Sequence, residues 1–190
     1  MSSFCGYTVQ MGRLGNISLK FMDIMIGVVL GLGFQWWPNL HDPWQYVAFI
    51  FVYIDLVDYW IDYTQSLKKF PPRHELGILL DVATIFMMFL YIYSTQLTML
   101  HFLTAYIAFK VIDVCGLWRT YREYDLRGRD RKFVRTWLSN SSIEIVYTAG
   151  LIALAIYYPF SAPVLLGIYI ALRFITRVLM SLQYKEVYFS

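Results

Sequence analysis

Any chemistry in this chain rests on ionisable residues that interrupt long apolar stretches: Asp23, Asp55, Asp58, Asp62, Asp81, Lys110, Asp113, Glu144, Arg173 and Arg177. A charge in hydrocarbon costs at least about 2.5–3.5 kcal/mol on insertion scales, so each must face protein or water. Asp55, Asp58 and Asp62 fall at i, i+3 and i+7, one stripe of a helix, and Arg173 and Arg177 lie one turn apart. Three carboxylates in a row repel and need cations or protons. The two arginines are the natural partners, because they stay charged and bind carboxylates bidentately. The surplus of acids over cations suits a cation or proton pathway, or its vestibule. The plainer reading is a salt-bridge network that fixes helix packing. Lys110 would then snorkel to the interface, with Asp62 and Glu144 as solvated helix ends.

Other chemistries find little support. His41, His74 and His101 form no i,i+3 or i,i+4 pair, and neither Cys5 nor Cys115 adjoins them, so no metal or haem site is expected. Two cysteines make no disulfide framework, and both are expected as reduced thiols. There is no Ser-His-Asp set, no HExxH and no Gly-rich phosphate loop. No cofactor and no enzymatic activity are expected. An intramembrane enzyme acting on lipid through the inner carboxylates is the weakest reading.

The elements that must position these residues follow from composition. Of 190 residues, 58% are hydrophobic, 15% charged and 19% aromatic, whereas soluble domains run at about 25% charged. A helical span needs about 20 residues. Apolar segments at about 19–38, 45–64, 75–94, 97–117, 142–159 and 163–182 give six, leaving no room for a soluble catalytic domain. Residues 1–18 carry one cation, Arg13, and no small-residue cleavage site follows the first apolar run, so no cleavable leader is expected. The linkers at 39–44, 94–96 and 160–162 hold no Lys or Arg. Three cations lie in 65–74, and seven lie at Arg119, Arg122, Arg127, Arg129, Arg131, Lys132 and Arg135. The positive-inside rule then puts both termini in the cytoplasm, with Arg13 and Lys185 agreeing. The expectation is an all-α, polytopic integral membrane protein of six transmembrane helices in a single transmembrane domain, with a basic cytoplasmic loop at 118–141. The ionisable groups other than Asp55 fall in the inner half of the bilayer. Trp36, Trp37 and Trp44 should mark the outer interface, and Trp118 and Trp137 the inner one.

The first span carries Gly27-x-x-x-Gly31, then Gly33. Small residues let helices approach closely, either within the subunit or around an oligomer axis. It also carries Lys20 followed by Phe21-Met22-Asp23. In this the chain resembles the six-helix potassium channels of lysosomes and prokaryotes, whose first helix carries a Phe-Ser-Asp motif after a basic residue. The family's small residue four places after the Asp is similar to Gly27, and its pore-lining isoleucine and leucine would fall on Val28 and Leu32. Asp58-Tyr59-Trp60-Ile61-Asp62 is similar to a family Tyr-Trp segment without its histidines, and the hairpin from Val146 to Ile175 is similar in style. Met22 stands where the family has serine and Gly31 where it has threonine. The resemblance implies a cation channel with a hydrophobic constriction on helix 1.

The leading expectation is thus a small homo-oligomeric membrane protein that conducts cations. Val28, Leu32 and Gln35 would line the constriction, with Asp23, Asp58 and Asp81 at its cytoplasmic mouth. The other reading is a non-conducting sensor or anchor that docks a cytosolic partner through Arg127, Arg129, Arg131, Lys132 and Arg135. Those residues would alternatively contact anionic lipids at the cytoplasmic face. The loop charge is explained by topology, so no nucleic-acid partner is expected.

Overall fold

The computed structural model describes residues 19–158 and 160–188, with side chains to residue 182. Cys5, Arg13 and the side chain of Lys185 lie outside the described set. Among the described residues the chain is entirely helical, with no strand. Helix α1 covers 19–33 and tightens into a 3₁₀ turn, Phe34–Asn39. It is followed by α2 (Pro43–Lys69), α3 (Glu75–Ser94), α4 (Met99–Glu123), α5 (Gly128–Tyr157) and α6 (Ala162–Tyr188).

Local chemistry sets the ends. Pro38 within the 3₁₀ turn cannot extend α1. Helix α2 then starts with Pro43 in its first turn, where proline is pre-organised. Gln45 Oε1 accepts the backbone N–H groups of His41 (2.8 Å) and Asp42 (3.1 Å), which the new helix leaves without partners. Pro71-Pro72 stop α2. Helices α3 and α4 form the tight hairpin expected at 94–96, closed by Thr95 N–H to Ile92 O at 3.1 Å and Leu97 N–H to Ser94 O at 3.1 Å. Gly128 opens α5 with φ +52°, a backbone conformation that costs glycine nothing.

Cross-bundle bonds fix the alternation of direction. Gln45 Nε2, at the start of α2, donates to Gln96 O (3.1 Å) and Leu97 O (3.3 Å) in the α3–α4 turn. No Lys or Arg lies in the linkers at this end. At the opposite, basic end, Lys69 bonds Asp130 at the start of α5 (2.5 Å). There too Tyr124 OH, just after α4, donates to Pro71 O (2.6 Å), and the Arg73 guanidinium lies 3.9 Å from the Tyr124 ring centroid. Helix α1 runs antiparallel to α2, because Tyr53 OH donates to Leu30 O (2.7 Å) while Trp60 Nε1 donates to Asp23 Oδ1 (3.2 Å). Helix α6 runs parallel to α2, because Arg173 meets Asp55 and Arg177 meets Asp58 and Asp62.

Five helical stretches are long and apolar enough to cross a membrane: Leu19–Asn39, Glu75–Ser94, Met99–Glu123, Gly128–Tyr157 and Ala162–Leu182. Helix α2 matches them in length, with 27 residues, but carries the acidic stripe. The bundle also turns apolar side chains outward. Ile54, Ile61, Leu76, Leu79, Phe86, Val146, Ile156, Phe174 and Leu179 are all exposed. A contiguous coat of this kind suits lipid as the solvent. Inside, Tyr91, Phe102, Tyr106, Phe109 and Tyr169 are fully buried, with the Tyr106 and Tyr169 rings packed edge to face at 5.1 Å.

The basic segment 118–141 is not a loop for most of its length. Helix α4 continues to Glu123 and α5 begins at Gly128, so only four residues, 124–127, connect them. At 1.5 Å per residue the 30 residues of α5 span about 45 Å, more than the roughly 30 Å of hydrocarbon. Its cationic first turns therefore extend beyond the apolar part of the bundle.

Candidate functional site: a buried charge network and an open helix face

The centre of the bundle holds four charges with almost no solvent contact: Asp55 (6% exposed), Lys110 (3%), Glu144 (1%) and Arg173 (6%). They come from α2, α4, α5 and α6 respectively. Glu144 bridges two cations, with Oε2 2.8 Å from Lys110 Nζ and Oε1 accepting Arg173 Nη1 at 2.6 Å. Tyr106 OH also donates to Oε2 (2.8 Å). Arg173 turns its Nε (2.9 Å) and Nη2 (2.8 Å) to Asp55 Oδ1. Two cations against two carboxylates make this quartet formally neutral, which is what low dielectric demands. Asp55 Oδ2 is buried with no hydrogen-bond partner.

Toward the basic end the network becomes acidic. Arg177 holds both Asp58 (Nη2, 2.6 Å) and Asp62 (Nη1, 2.5 Å), one cation for two carboxylates. Asp113 is buried and accepts hydrogen bonds from three neutral donors: Tyr59 OH (2.9 Å), Ser141 Oγ (2.8 Å) and Trp137 Nε1 (3.2 Å). Asp81 is buried and accepts Tyr63 OH at 2.6 Å. Two polar cavities flank Trp137. One touches Asp81, Asp113 and Arg119, the other Asp58, Lys110, Glu144 and Arg177, and each holds about 20 Å³. That volume admits about one water.

The pairing of the acidic stripe with the two arginines is present, with a definite register: Arg173 takes Asp55, and Arg177 takes Asp58 and Asp62. Two other readings need correction. Lys110 does not snorkel to the interface, and Glu144 is not a solvated end. Each is the other's ion-pair partner in the core. The sequence assigned no network role to Tyr59, Tyr63, Tyr106, Trp137 or Ser141, and no central role to Glu144. A signal existed: Trp137, Ser141, Glu144 and Thr148 fall at i, i+4, i+7 and i+11, and all four are buried. Tyr106, Lys110 and Asp113 repeat the pattern on α4. The tryptophan belt is correspondingly thinner. Trp44 and Trp137 are buried, Trp36 and Trp37 are half-buried, and Trp118 is exposed.

Helix α1 behaves differently. Asp23 is exposed and held by Trp60. Ile24, Gly27, Val28, Gly31, Leu32 and Gln35 share one exposed face. A Cβ added at Gly27 or Gly31 would meet nothing within 4 Å, so this pair does not pack inside the subunit. Gly33 is the packing glycine. A Cβ there would sit 2.9 Å from the Tyr53 hydroxyl and 3.0 Å from Ile92. On the basic helical ends, Arg127 pairs with Asp125, Arg131 donates to Tyr121 OH (3.2 Å), and Arg129, Lys132 and Arg135 are exposed. No three metal-ligating side chains converge among the described residues.

These features define the class as a helical membrane bundle with an ionised core. Comparison with protein-family models, curated proteins and solved structures finds no match.

Proposed function

We propose that this chain crosses the membrane six times, with both termini on the basic, cytoplasmic side, and assembles around α1 into a homo-oligomer that passes cations. The observation that carries this reading is the face of α1. Gly27 and Gly31 open onto nothing within the subunit, while Val28 (41% exposed) and Leu32 (46%) share that face with Gln35. Small residues confer no benefit against lipid but allow helices to approach closely. Grouped around an axis, Val28 and Leu32 would form a constriction that gates by dewetting. The two cavities beside Trp137, about 20 Å³ each, are too small to form such a path. The sixth span is α2. Each of its three acids is paired with one of two α6 arginines, which lowers the cost of its crossing.

Thiol modification tests the pore position. In a chain with Cys5 and Cys115 replaced by serine, Leu32→Cys reconstituted in liposomes should lose cation flux on reaction with a positively charged methanethiosulfonate. Ile54→Cys, exposed on α2, should not. Equal insensitivity of both, with flux present, removes α1 from the pathway. Flux absent throughout favours the docking module.

A further inference from the structure

The first turns of α5 carry a groove of about 420 Å³ lined by Gly128, Arg131, Lys132, Arg135 and Thr136. Among the described residues its lining holds cations, a hydroxyl and no carboxylate. Of the described acids near it, Asp130 pairs with Lys69, Asp125 pairs with Arg127, and Glu123 lies 3.9 Å from Arg119. Arg131 and Arg135 are one turn apart and both exposed, so their guanidinium groups can converge on a single anion.

The groove also has a depth. Arg131 Nη2 donates to Tyr121 OH at 3.2 Å, and the Tyr121 ring stacks on Trp118 at 6.3 Å, with Arg122 5.5 Å from the Trp118 ring centroid. Trp118 and Tyr121 are both exposed. Amphipathic rings of this kind settle at the level of lipid headgroups. Two turns or more further along α5 the exposed residues turn apolar, at Ile143 and Val146. A cationic groove beside interfacial aromatics, just above an apolar surface, meets a ligand that is anionic at its head and aliphatic at its tail.

We propose that this groove is a site for the phosphate headgroup of an anionic membrane lipid, read by Arg131 and Arg135. The site does not depend on conduction, and it separates two arginines from the rest of the basic segment. Arg127 is occupied by Asp125, and Arg129 does not line the groove.

The test uses the delipidated full-length protein in a neutral detergent, titrated with phosphatidylglycerol or phosphatidylcholine and read by native mass spectrometry. Wild type should bind phosphatidylglycerol in preference to phosphatidylcholine. Each cation near such a headgroup contributes about fivefold, so Arg131→Gln/Arg135→Gln should weaken phosphatidylglycerol binding by about 30-fold. Arg127→Gln/Arg129→Gln should change it by no more than about threefold. Both residues of the test pair are exposed, and matching gel-filtration profiles verify the fold. Equal losses in the two doubles would mean diffuse charge rather than a site, and would overturn the proposal. So would no lipid preference in wild type. Displacement of the lipid by equimolar inorganic phosphate would assign the groove to a soluble anion and overturn it as well. Oligonucleotide binding lost in the same pair, without lipid preference, would assign it to nucleic acid.

Discussion

Glu144 is the residue on which the buried network turns, because its two oxygens face two cations and a tyrosine hydroxyl. Glu144→Gln would remove the carboxylate that Lys110 and Arg173 share in a buried site. Breaking such a pair costs about 3–5 kcal/mol, and unfolding of the purified variant in mixed micelles should show a loss of that size. Asp58 and Arg177 are half-exposed, so water screens their pairing. A cycle of Asp58→Asn with Arg177→Gln should give a coupling of about 1 kcal/mol. The same cycle with Arg173→Gln should give less, because Arg173 is turned to Asp55 and Glu144. Coupling to Arg173 as large as to Arg177 would contradict the register.

At the scale of the element, the three glycines of α1 should respond differently to substitution. Gly27→Leu and Gly31→Leu meet open space in the subunit. They should leave its thermal stability intact, or raise it by up to about 1 kcal/mol through helix propensity, and mass photometry should show that they abolish the proposed oligomer. Gly33→Ala should instead destabilise the subunit, because its Cβ would press on Tyr53 and Ile92. The spacing of these glycines was plain in the sequence, but which of them packs was not. That depends on how α1 is rotated against α2, which the Tyr53–Leu30 and Trp60–Asp23 bonds set. The helices themselves were legible because an apolar run of 20 residues has few alternatives. Their ends on the basic side were not. Charge marked 118–141 as outside the bilayer, yet an amphipathic helix tolerates charge once it leaves hydrocarbon, so α4 and α5 continue into it. The acidic stripe and its arginines were readable from spacing alone. Lys110 and Glu144 were misread because depth was judged from position along a span. Burial on α5 follows instead from the Trp137-Ser141-Glu144-Thr148 stripe, which faces α4 and α6.

For the whole molecule, the end without Lys or Arg and the basic end should lie on opposite sides of the membrane. Single cysteines at Asn39 and Ser161, in a background with Cys5 and Cys115 replaced, should react with an impermeant maleimide outside intact cells. Cysteines at Lys68 and Arg129 should react only after permeabilisation. External labelling at Arg129 would contradict the six-span arrangement. Core ion pairs made within one chain, and an apolar α1 face left open, are why the pathway we propose would lie between subunits. Cation flux into liposomes carrying the purified protein, measured beside empty liposomes, tests this most directly. Wild type should pass cations above background. Leu32→Asn should raise the resting flux, because a polar side chain wets a dewetted constriction. Absence of flux from both proteins, each eluting as a folded species on gel filtration, would contradict the account.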